Sequence, residues 1–139
     1  IQAYRLEMGS RLANPKGADL YAYWGDRIAR ALNSLGTEQG ADILVNCASV
    51  EYFRAANHKA LKLRVITPAF LEETDGTARM VSFWAKRARG AMARFICENA
   101  LTDPDDLRGF DLGGYVFRPD LSHEGRPVFT RPDQAVQAA

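Results

Sequence analysis

The chain has 139 residues, of which 47% are hydrophobic and 25% are charged, and its formal net charge is +1. This length and composition are typical of one globular domain and exclude an intrinsically disordered chain, while two cysteines are too few for a secreted disulfide framework. The sequence contains no apolar run long enough to span a bilayer and no signal-peptide pattern. We therefore expect a cytoplasmic protein with no membrane partner.

Two long amphipathic helices are predicted. In the first, over residues 18–35, apolar side chains recur at intervals of three and four, and Gly36 is expected to end the helix. The second begins at Ser82, whose hydroxyl can cap it, and runs to about Asn99. The apolar positions of the first helix are Leu20, Tyr21, Trp24, Ile28, Ala31, Leu32 and Leu35.

The remaining elements are short. Residues 43–45 are predicted to form a buried strand and residues 50–56 one or two helical turns. Alternation from Leu61 to Phe70, followed by the turn-forming pair Asp75-Gly76, predicts a hairpin, and residues 115–117 with 128–129 predict a second one. Together these elements predict a single mixed α/β domain over residues 1–139, with a small mixed sheet and two long helices.

Charge is unevenly distributed along the chain. Residues 79–94 contain five bases and no acid, whereas residues 98–111 contain five acids and one base. At about 100° per residue, the bases of the second helix fall on one side, opposite its apolar residues, with Gly90 between them. A phosphate could approach the helix backbone at Gly90. The bases are Lys86, Arg87, Arg89 and Arg94.

Two interpretations of this basic face are open. The face can simply be solvated, as the outer face of many helices is. Two features favour binding: a solvated face normally mixes both signs of charge, and a glycine inside a helix costs about 1 kcal/mol relative to alanine. Gly90 therefore indicates close packing or close approach of a ligand.

The segment after the second helix is a candidate phosphate-binding hairpin. A short helical piece from Pro104 to Leu107 precedes Gly109-Phe110, and such a turn can present backbone N–H groups to a nucleic acid. Nearby aspartates would oppose a phosphate. The hairpin would comprise Leu101, Pro104, Leu107, Gly109 and Phe110.

A search for catalytic and metal sites finds little. His58 and His123 lie at no ligand spacing from a cysteine or an acidic pair, so no metal site is predicted. No nucleophile triad, phosphate loop or dinucleotide fingerprint is present, so no cofactor is predicted. We interpret Cys47 and Cys97 as buried and inert.

Polar side chains form two further groups, one near the start of the chain and one after the first buried strand. Such positions can line a ligand crevice, although Arg5 with Glu7 also fits an ion pair and Ser49 a helix N-cap. The candidates are Arg5, Glu7, Asn46, Ser49, Glu51 and Tyr52.

Several blocks of sequence, taken in order, resemble the YaaA family of bacterial peroxide-stress resistance proteins over nearly the whole chain. Members of that family also carry an N-terminal segment with a Ser-Pro-Ala-Lys motif that is absent here, so the chain resembles the C-terminal part of a member. The blocks are Tyr4-Arg5-Leu6-Glu7-Met8-Gly9, Asp19-Leu20-Tyr21, Trp24-Gly25-Asp26, Asn46, Ala48-Ser49, Glu51-Tyr52-Phe53, Ser82-Phe83, Ala85-Lys86, Ala88-Arg89-Gly90, Arg94-Phe95, Glu98-Asn99, Leu101-Thr102, Gly109-Phe110 and Gly114-Tyr115.

The resemblance implies a cytoplasmic protein that is induced by hydrogen peroxide and limits damage from unincorporated iron. It also implies a family-specific fold that binds DNA through a basic cleft and a helix-hairpin-helix element. The basic helix face then fits a wall of that cleft, and residues 101–110 fit the hairpin. The residues provide no iron ligand set, so an effect on iron would be indirect.

Three hypotheses follow. The one we favour is a non-catalytic protein that binds double-stranded or structured DNA without sequence specificity, through Lys86, Arg89 and Arg94, assisted by Arg87 and Arg5.

The second hypothesis is an enzyme acting on a nucleic acid or nucleotide. Lys86 would then be a nucleophile or an electrostatic clamp, and Asn46, Glu51 and Tyr52 would position the substrate. The third is a scaffold whose basic face binds an acidic protein. The sequence does not indicate the oligomeric state.

Overall fold

In the computed structural model of this chain, the described residues are Gly9 and residues 11–134. They form two compact units. The first contains residues up to 44 and 48–65, and the second contains residues 45–47 and those from 66 onward. Each unit combines helical and extended segments, which confirms the predicted mixed α/β class. The limits of the domain remain a prediction.

Helix α1 (Leu20–Gln39) dominates the first unit. It begins where Asp19 Oδ1 accepts a hydrogen bond from the Ala22 N–H at 2.9 Å, and it ends at Gly40, whose φ of 63° is left-handed. The predicted end at Gly36 is wrong. Gly36 is a buried residue within the helix. Glycine is needed there because a Cβ at this position would lie only 2.6 Å from Leu63 Cδ2.

The fully buried residues of α1 are small, and the predicted apolar stripe is half-buried except at Ala31 and Leu35, which are exposed. Gly25, Ala29 and Gly36 are buried, whereas Leu35 is 52% exposed. The chain from 57 to 63 runs along the buried side of α1 and is bound to it by hydrogen bonds. Asn33 Nδ2 donates to the Ala60 carbonyl and Asn33 Oδ1 accepts from the Lys62 N–H, both at 2.8 Å.

The other elements of the first unit are short, and two further strands cross the boundary between the units. The predicted turns at 50–56 correspond to a helix of four residues, with Ser49 as its N-cap. Strand β4 pairs with β3, so the alternation from Leu61 to Val65 does not belong to the predicted hairpin. These elements are β1 (Arg11–Asn14) and its antiparallel partner β2 (Gly17–Asp19), β3 (Ile43–Val45), α2 (Val50–Phe53), a 3-10 helix (His58–Ala60) and β4 (Arg64–Ile66).

The second unit contains a four-stranded sheet with the order β6-β5-β8-β7. Its two central strands are parallel, and each carries an antiparallel edge strand. Both predicted hairpin pairings are confirmed, and Asp75 and Gly76 have φ values of 50° and 78°, as a tight Asp-Gly turn requires. The strands are β5 (Ala69–Thr74), β6 (Thr77–Arg79), β7 (Val116–Phe117) and β8 (Val128–Pro132).

Helix α3 (Ser82–Glu98) lies against β5. The prediction that Ser82 caps this helix is wrong, because the N-cap residue is Val81 and no side chain bonds to the first turn. Beneath α3, Phe110 makes edge-to-face contacts with Phe70 and Phe129, whose own rings stack at 5.4 Å. Such ring geometries stabilise a core beyond the area they bury.

The chain after α3 forms two 3-10 helices, Pro104–Gly109 and Leu112–Gly114, before it enters β7. The first agrees with the predicted helical piece at Pro104. Among residues 11–134, no helix combines the length and apolarity needed to cross a bilayer.

Candidate nucleic-acid interface

The outer side of α3 carries the predicted bases. Lys86, Arg87 and Arg94 are exposed and Arg89 is half-buried, while Ala88 on the other side is 3% exposed. Helix α3 is amphipathic, because Ala85, Ala88 and Met92 are buried while the bases lie on its other side. The structure therefore leaves a cationic surface on the solvent side of the helix.

Ion pairing divides these bases into two kinds. Arg94 Nε donates to Glu98 Oε1 at 2.7 Å, one helical turn away, and this hydrogen bond raises the pKa of Arg94. Within the described part of the chain, Lys86, Arg87 and Arg89 form no ion pair with a carboxylate. Three of the four bases can therefore neutralise an external anion without giving up an internal partner.

Arg87 and Arg89 differ in their surroundings. The Arg87 guanidinium carbon lies 6.0 Å from the centre of the Phe83 ring and 5.5 Å from that of Trp84. Arg89 acts on Cys47: burial raises the pKa of this thiol, and the Arg89 charge partly opposes that rise. Cys47 is therefore protonated near neutral pH. Cys97 is exposed, so its predicted burial is wrong.

Gly90 lies on the exposed side between the bases. A Cβ built at this position meets no heavy atom within 4 Å among the described residues. Close packing inside this part of the chain is therefore not the reason for a glycine in the helix. The other explanation that the sequence offered for Gly90, close approach of a ligand to the helix backbone, stays open.

The hairpin candidates lie mostly in or near the core. Leu107 and Phe110 are 2% and 1% exposed, Leu101 and Pro104 are half-buried, and Gly109 is exposed. A Cβ on Gly109 would lie 4.0 Å from the ring of Phe95. Phe95 is about 180° around the helix from Lys86, so Gly109 and Lys86 lie on opposite sides of α3.

Backbone N–H groups in this hairpin segment already have partners. The Asp105 N–H donates to Asp103 Oδ1 at 2.9 Å, the Asp106 N–H to the Asp103 carbonyl, and the Phe110 N–H to the Leu107 carbonyl. Asp103 thus caps the 3-10 helix, which explains one of the acids that follow α3. These three N–H groups are not free for a phosphate.

The polar residues that were predicted to line a crevice are divided between the two units. Asn46 belongs to the second unit, is 6% exposed and donates from Nδ2 to Thr67 Oγ1 at 3.4 Å. Ser49 belongs to the first unit, and its hydroxyl accepts from the Tyr52 N–H, as the N-cap interpretation predicted. Glu51 and Tyr52 are exposed. Arg5 and Glu7 lie outside the described residues.

One buried polar network was not found from the sequence. Arg131 Nε donates to both carboxylate oxygens of Glu72, at 2.9 and 3.0 Å, and the Tyr115 hydroxyl donates to Glu72 Oε1 at 2.8 Å. Burial and this hydrogen bond raise the pKa of Tyr115. The available signal was the alternation of β5, which puts Glu72 on the same face as Phe70.

The described residues contain no group of three or more His, Cys, Asp or Glu side chains that could hold a metal ion.

Fold and surface thus define a class: a mixed α/β protein whose second unit exposes a basic helix face, on which three of the four bases have no carboxylate partner among the described residues. Comparison with known families identifies the particular family. Residues 1–121 match the family described as peroxide stress protein YaaA. The chain belongs to this family, which confirms the resemblance seen in its sequence.

Curated relatives support the same assignment. A UPF0246 protein of Cereibacter sphaeroides is 67% identical over 131 residues, which are 94% of this chain and 51% of that protein. The corresponding protein of Ruegeria pomeroyi is 60% identical over 134 residues, 96% of this chain and 52% of its own length. That of Jannaschia is 54% identical over 139 residues, the whole of this chain and 54% of its own length. The chain thus spans about half the length of these relatives.

Proposed function

We propose that this chain supplies the phosphate-binding surface of a DNA-binding protein in the bacterial response to peroxide. The proposal is carried by one observation: Lys86, Arg87 and Arg89 share the outer side of α3 without a carboxylate partner among the described residues. Membership of the peroxide stress family supports a role for this surface in that response. Contacts between basic side chains and phosphates position a protein on DNA but do not recognise the nucleotide sequence.

The position of Gly90 supports the same interpretation. Among the described residues no heavy atom lies within 4 Å of a Cβ built at Gly90, so a phosphate can approach the helix backbone there and be flanked by Lys86 and Arg87. Arg94 contributes less in this arrangement, because Glu98 already binds it. The sequence had ranked Arg94 equal to Lys86 and Arg89, and the ion pair revises that ranking.

The experiment is a measurement of duplex DNA binding at several salt concentrations. The test variant carries Lys86→Gln, Arg87→Gln and Arg89→Gln, which remove three charges but keep helix-compatible polar side chains. For each phosphate contact that is lost, the slope of log K against log salt becomes shallower by about one. We expect the slope to fall by about two to three and the affinity to fall most at low salt.

The matched control removes the same charge from exposed positions of the first unit, with Arg30→Gln, Lys62→Gln and Arg64→Gln. This variant should keep most of the slope. Equal losses in both variants would show that net charge rather than the α3 face drives binding, and an unchanged slope in the α3 variant would refute the proposal. The Cereibacter sphaeroides relative, measured at full length, shows whether the other half of the protein adds contacts.

A further inference from the structure

The first unit contains a pocket of about 510 Å³, lined by the start of α1, the turn between β1 and β2, and the chain that follows α2. Its volume falls in the range of roughly 300–1,000 Å³ that is typical of small-molecule sites. Tyr21, Gly25 and Asp26 line this pocket. They belong to sequence blocks that resemble the YaaA family, and none of them takes part in the basic face of α3.

Close packing and hydrogen bonds shape the walls of the pocket. The turn between β1 and β2 packs directly on α1, because a Cβ at Gly17 would clash with Ala22 Cβ. On the other side, the Asn57 N–H donates to the Gly25 carbonyl at 3.0 Å, and Asn57 Nδ2 donates to Asp26 Oδ1 at 2.7 Å. The walls are therefore held in place by contacts within the first unit itself.

Basic side chains outnumber acidic ones around the pocket. Lys16, Arg54 and Lys59 line it, and within the part of the chain that the structure describes none of them forms an ion pair with a carboxylate. Asp26 is the one acid among the described lining residues, and Asn57 already donates to one of its oxygens. The pocket thus has an excess of positive charge, which favours an anionic ligand.

The kinds of base indicate which anion fits. The Arg54 guanidinium carbon lies 4.9 Å from the centre of the Tyr21 ring, and this contact favours one position of the side chain. A guanidinium can donate two parallel hydrogen bonds to a phosphate, whereas lysines contribute charge with less directional preference. A phosphate monoester carries about two negative charges near neutral pH, so three bases suit it better than a singly charged carboxylate.

Asp26 restricts the rest of the ligand. A carboxylate beside a bound anion is unfavourable unless it accepts a hydrogen bond from the same ligand. Asp26 Oδ1 accepts from Asn57, and a hydroxyl group of a ligand can donate to the other oxygen. The pocket is also far larger than a phosphate group alone requires. A ligand that combines a phosphate with hydroxyl groups, as a sugar phosphate does, matches both the charges and the volume.

We propose that this pocket binds a small phosphate monoester that also carries hydroxyl groups, with its phosphate at Lys16, Arg54 and Lys59 and a hydroxyl at Asp26. The pocket belongs to the first unit and α3 to the second, so this inference does not rest on the proposed function. A phosphodiester inside a DNA strand offers similar phosphate oxygens but no free hydroxyl, and the test distinguishes these two sources.

The test is calorimetric titration of this chain with ribose 5-phosphate, inorganic phosphate and ribose, at constant ionic strength. The key variant carries Arg54→Gln and Lys59→Gln. Its matched control carries Arg30→Gln and Lys62→Gln, which are exposed bases of the same unit outside the pocket. We expect the key variant to bind ribose 5-phosphate roughly tenfold more weakly than wild type, and the control to bind it as wild type does. Ribose should bind least of the three compounds.

Asp26→Asn tests the hydroxyl contact. An asparagine oxygen can still accept from Asn57, so the wall is kept while the negative charge is removed. We expect this variant to bind inorganic phosphate more tightly than wild type does, because a repulsion is lost. The preference for ribose 5-phosphate over inorganic phosphate should become smaller, because a hydrogen bond to a charged oxygen is stronger than one to an amide.

Three results would overturn the proposal. The first is equal binding of inorganic phosphate and ribose 5-phosphate by wild type, and the second is an equal loss of affinity for ribose 5-phosphate in the key variant and its control. The third is no binding of ribose 5-phosphate by wild type together with weaker binding of duplex DNA by the key variant than by the control. That result would assign the pocket to the phosphodiesters of DNA.

Discussion

The arginines of the sheet and the bases of α3 belong to the same unit, but the two sets differ in whether their charges are paired with carboxylates. Arg131 and Arg118 each bind a carboxylate of β5, Glu72 and Glu73 respectively, at 2.9 and 2.6 Å. Arg118 also pairs with Asp120, and these hydrogen bonds lower the pKa of Asp120. On α3, by contrast, only Arg94 has a carboxylate partner among the described residues.

The difference separates charges that hold the fold from charges that are available to a ligand. A buried ion pair is costly to break from one side, because the remaining charge is left without a partner. An exposed base without a partner contributes little to folding, and its removal is felt only when an anion binds. Which charges are paired therefore indicates function better than which charges are present.

The largest expected effect is the loss of one half of the buried pair. Arg131→Leu leaves Glu72, which is 1% exposed, without its main partner, and we expect the free energy of unfolding to fall by about 3–5 kcal/mol in urea denaturation. Lys86→Gln on α3 should stay within about 0.5 kcal/mol of wild type. Similar losses in the two variants would remove the distinction between the two sets of charges.

A smaller effect concerns the hydroxyl that completes the pair. The folded state raises the pKa of Tyr115 above the value of about 10 for a free tyrosine, so its contribution to stability is complete below that pH and is lost as the pH rises through the folded-state value. Between about pH 9 and pH 11, wild type should therefore lose up to about 1 kcal/mol more stability than Tyr115→Phe. An equal loss of stability in wild type and in Tyr115→Phe between these two pH values would contradict this prediction.

Gly90→Ala tests the open position on the basic face. Because a Cβ meets nothing there, alanine should stabilise α3 by about 0.5–1 kcal/mol, measured as a higher midpoint of thermal unfolding. If a phosphate approaches the backbone at this point, the same variant binds duplex DNA more weakly. A gain in stability with unchanged DNA affinity would mean that the phosphates lie elsewhere on the helix.

The smallest effect is expected from releasing Arg94. Glu98→Gln removes its ion-pair partner and one negative charge from the end of α3. Arg94 then becomes available to phosphate, so affinity for a perfect duplex should rise at low salt, and the salt slope should steepen by about one at most. A slope equal to that of wild type would place Arg94 outside the interface.

The sequence predicted the local elements well where a local cause fixes them. The Asp75-Gly76 turn, the strand at 43–45 and the two faces of α3 follow from turn chemistry and periodicity. The parallel pairing of β5 with β8 could not be predicted, because nothing near Ala69 encodes contact with Val128. Gly36 was misinterpreted as a helix end for the same reason, since its purpose is contact with the distant Leu63.

The candidate site was predictable in part. Helical periodicity identified the basic face, because this face depends only on the positions of residues along one helix. It did not show that Glu98 would bind Arg94, nor that Leu107 and Phe110 would be drawn into an aromatic core rather than exposed in a hairpin. The contacts between Glu72, Tyr115 and Arg131 could not be predicted, because these residues come from three separate segments.

The position of β8 in the middle of its sheet has a consequence for synthesis on the ribosome. The strand lies between β5 and β7, although it is the last of the eight strands of the described chain to be translated. Until residues 128–132 emerge, the inner edge of β5 has no strand partner and the Phe70 and Phe110 rings lack their contacts with Phe129. Pairing of such distant segments is slow, and unpaired strand edges are prone to association with other chains. The nascent chain is therefore exposed to association through this edge of β5 until β8 has been translated.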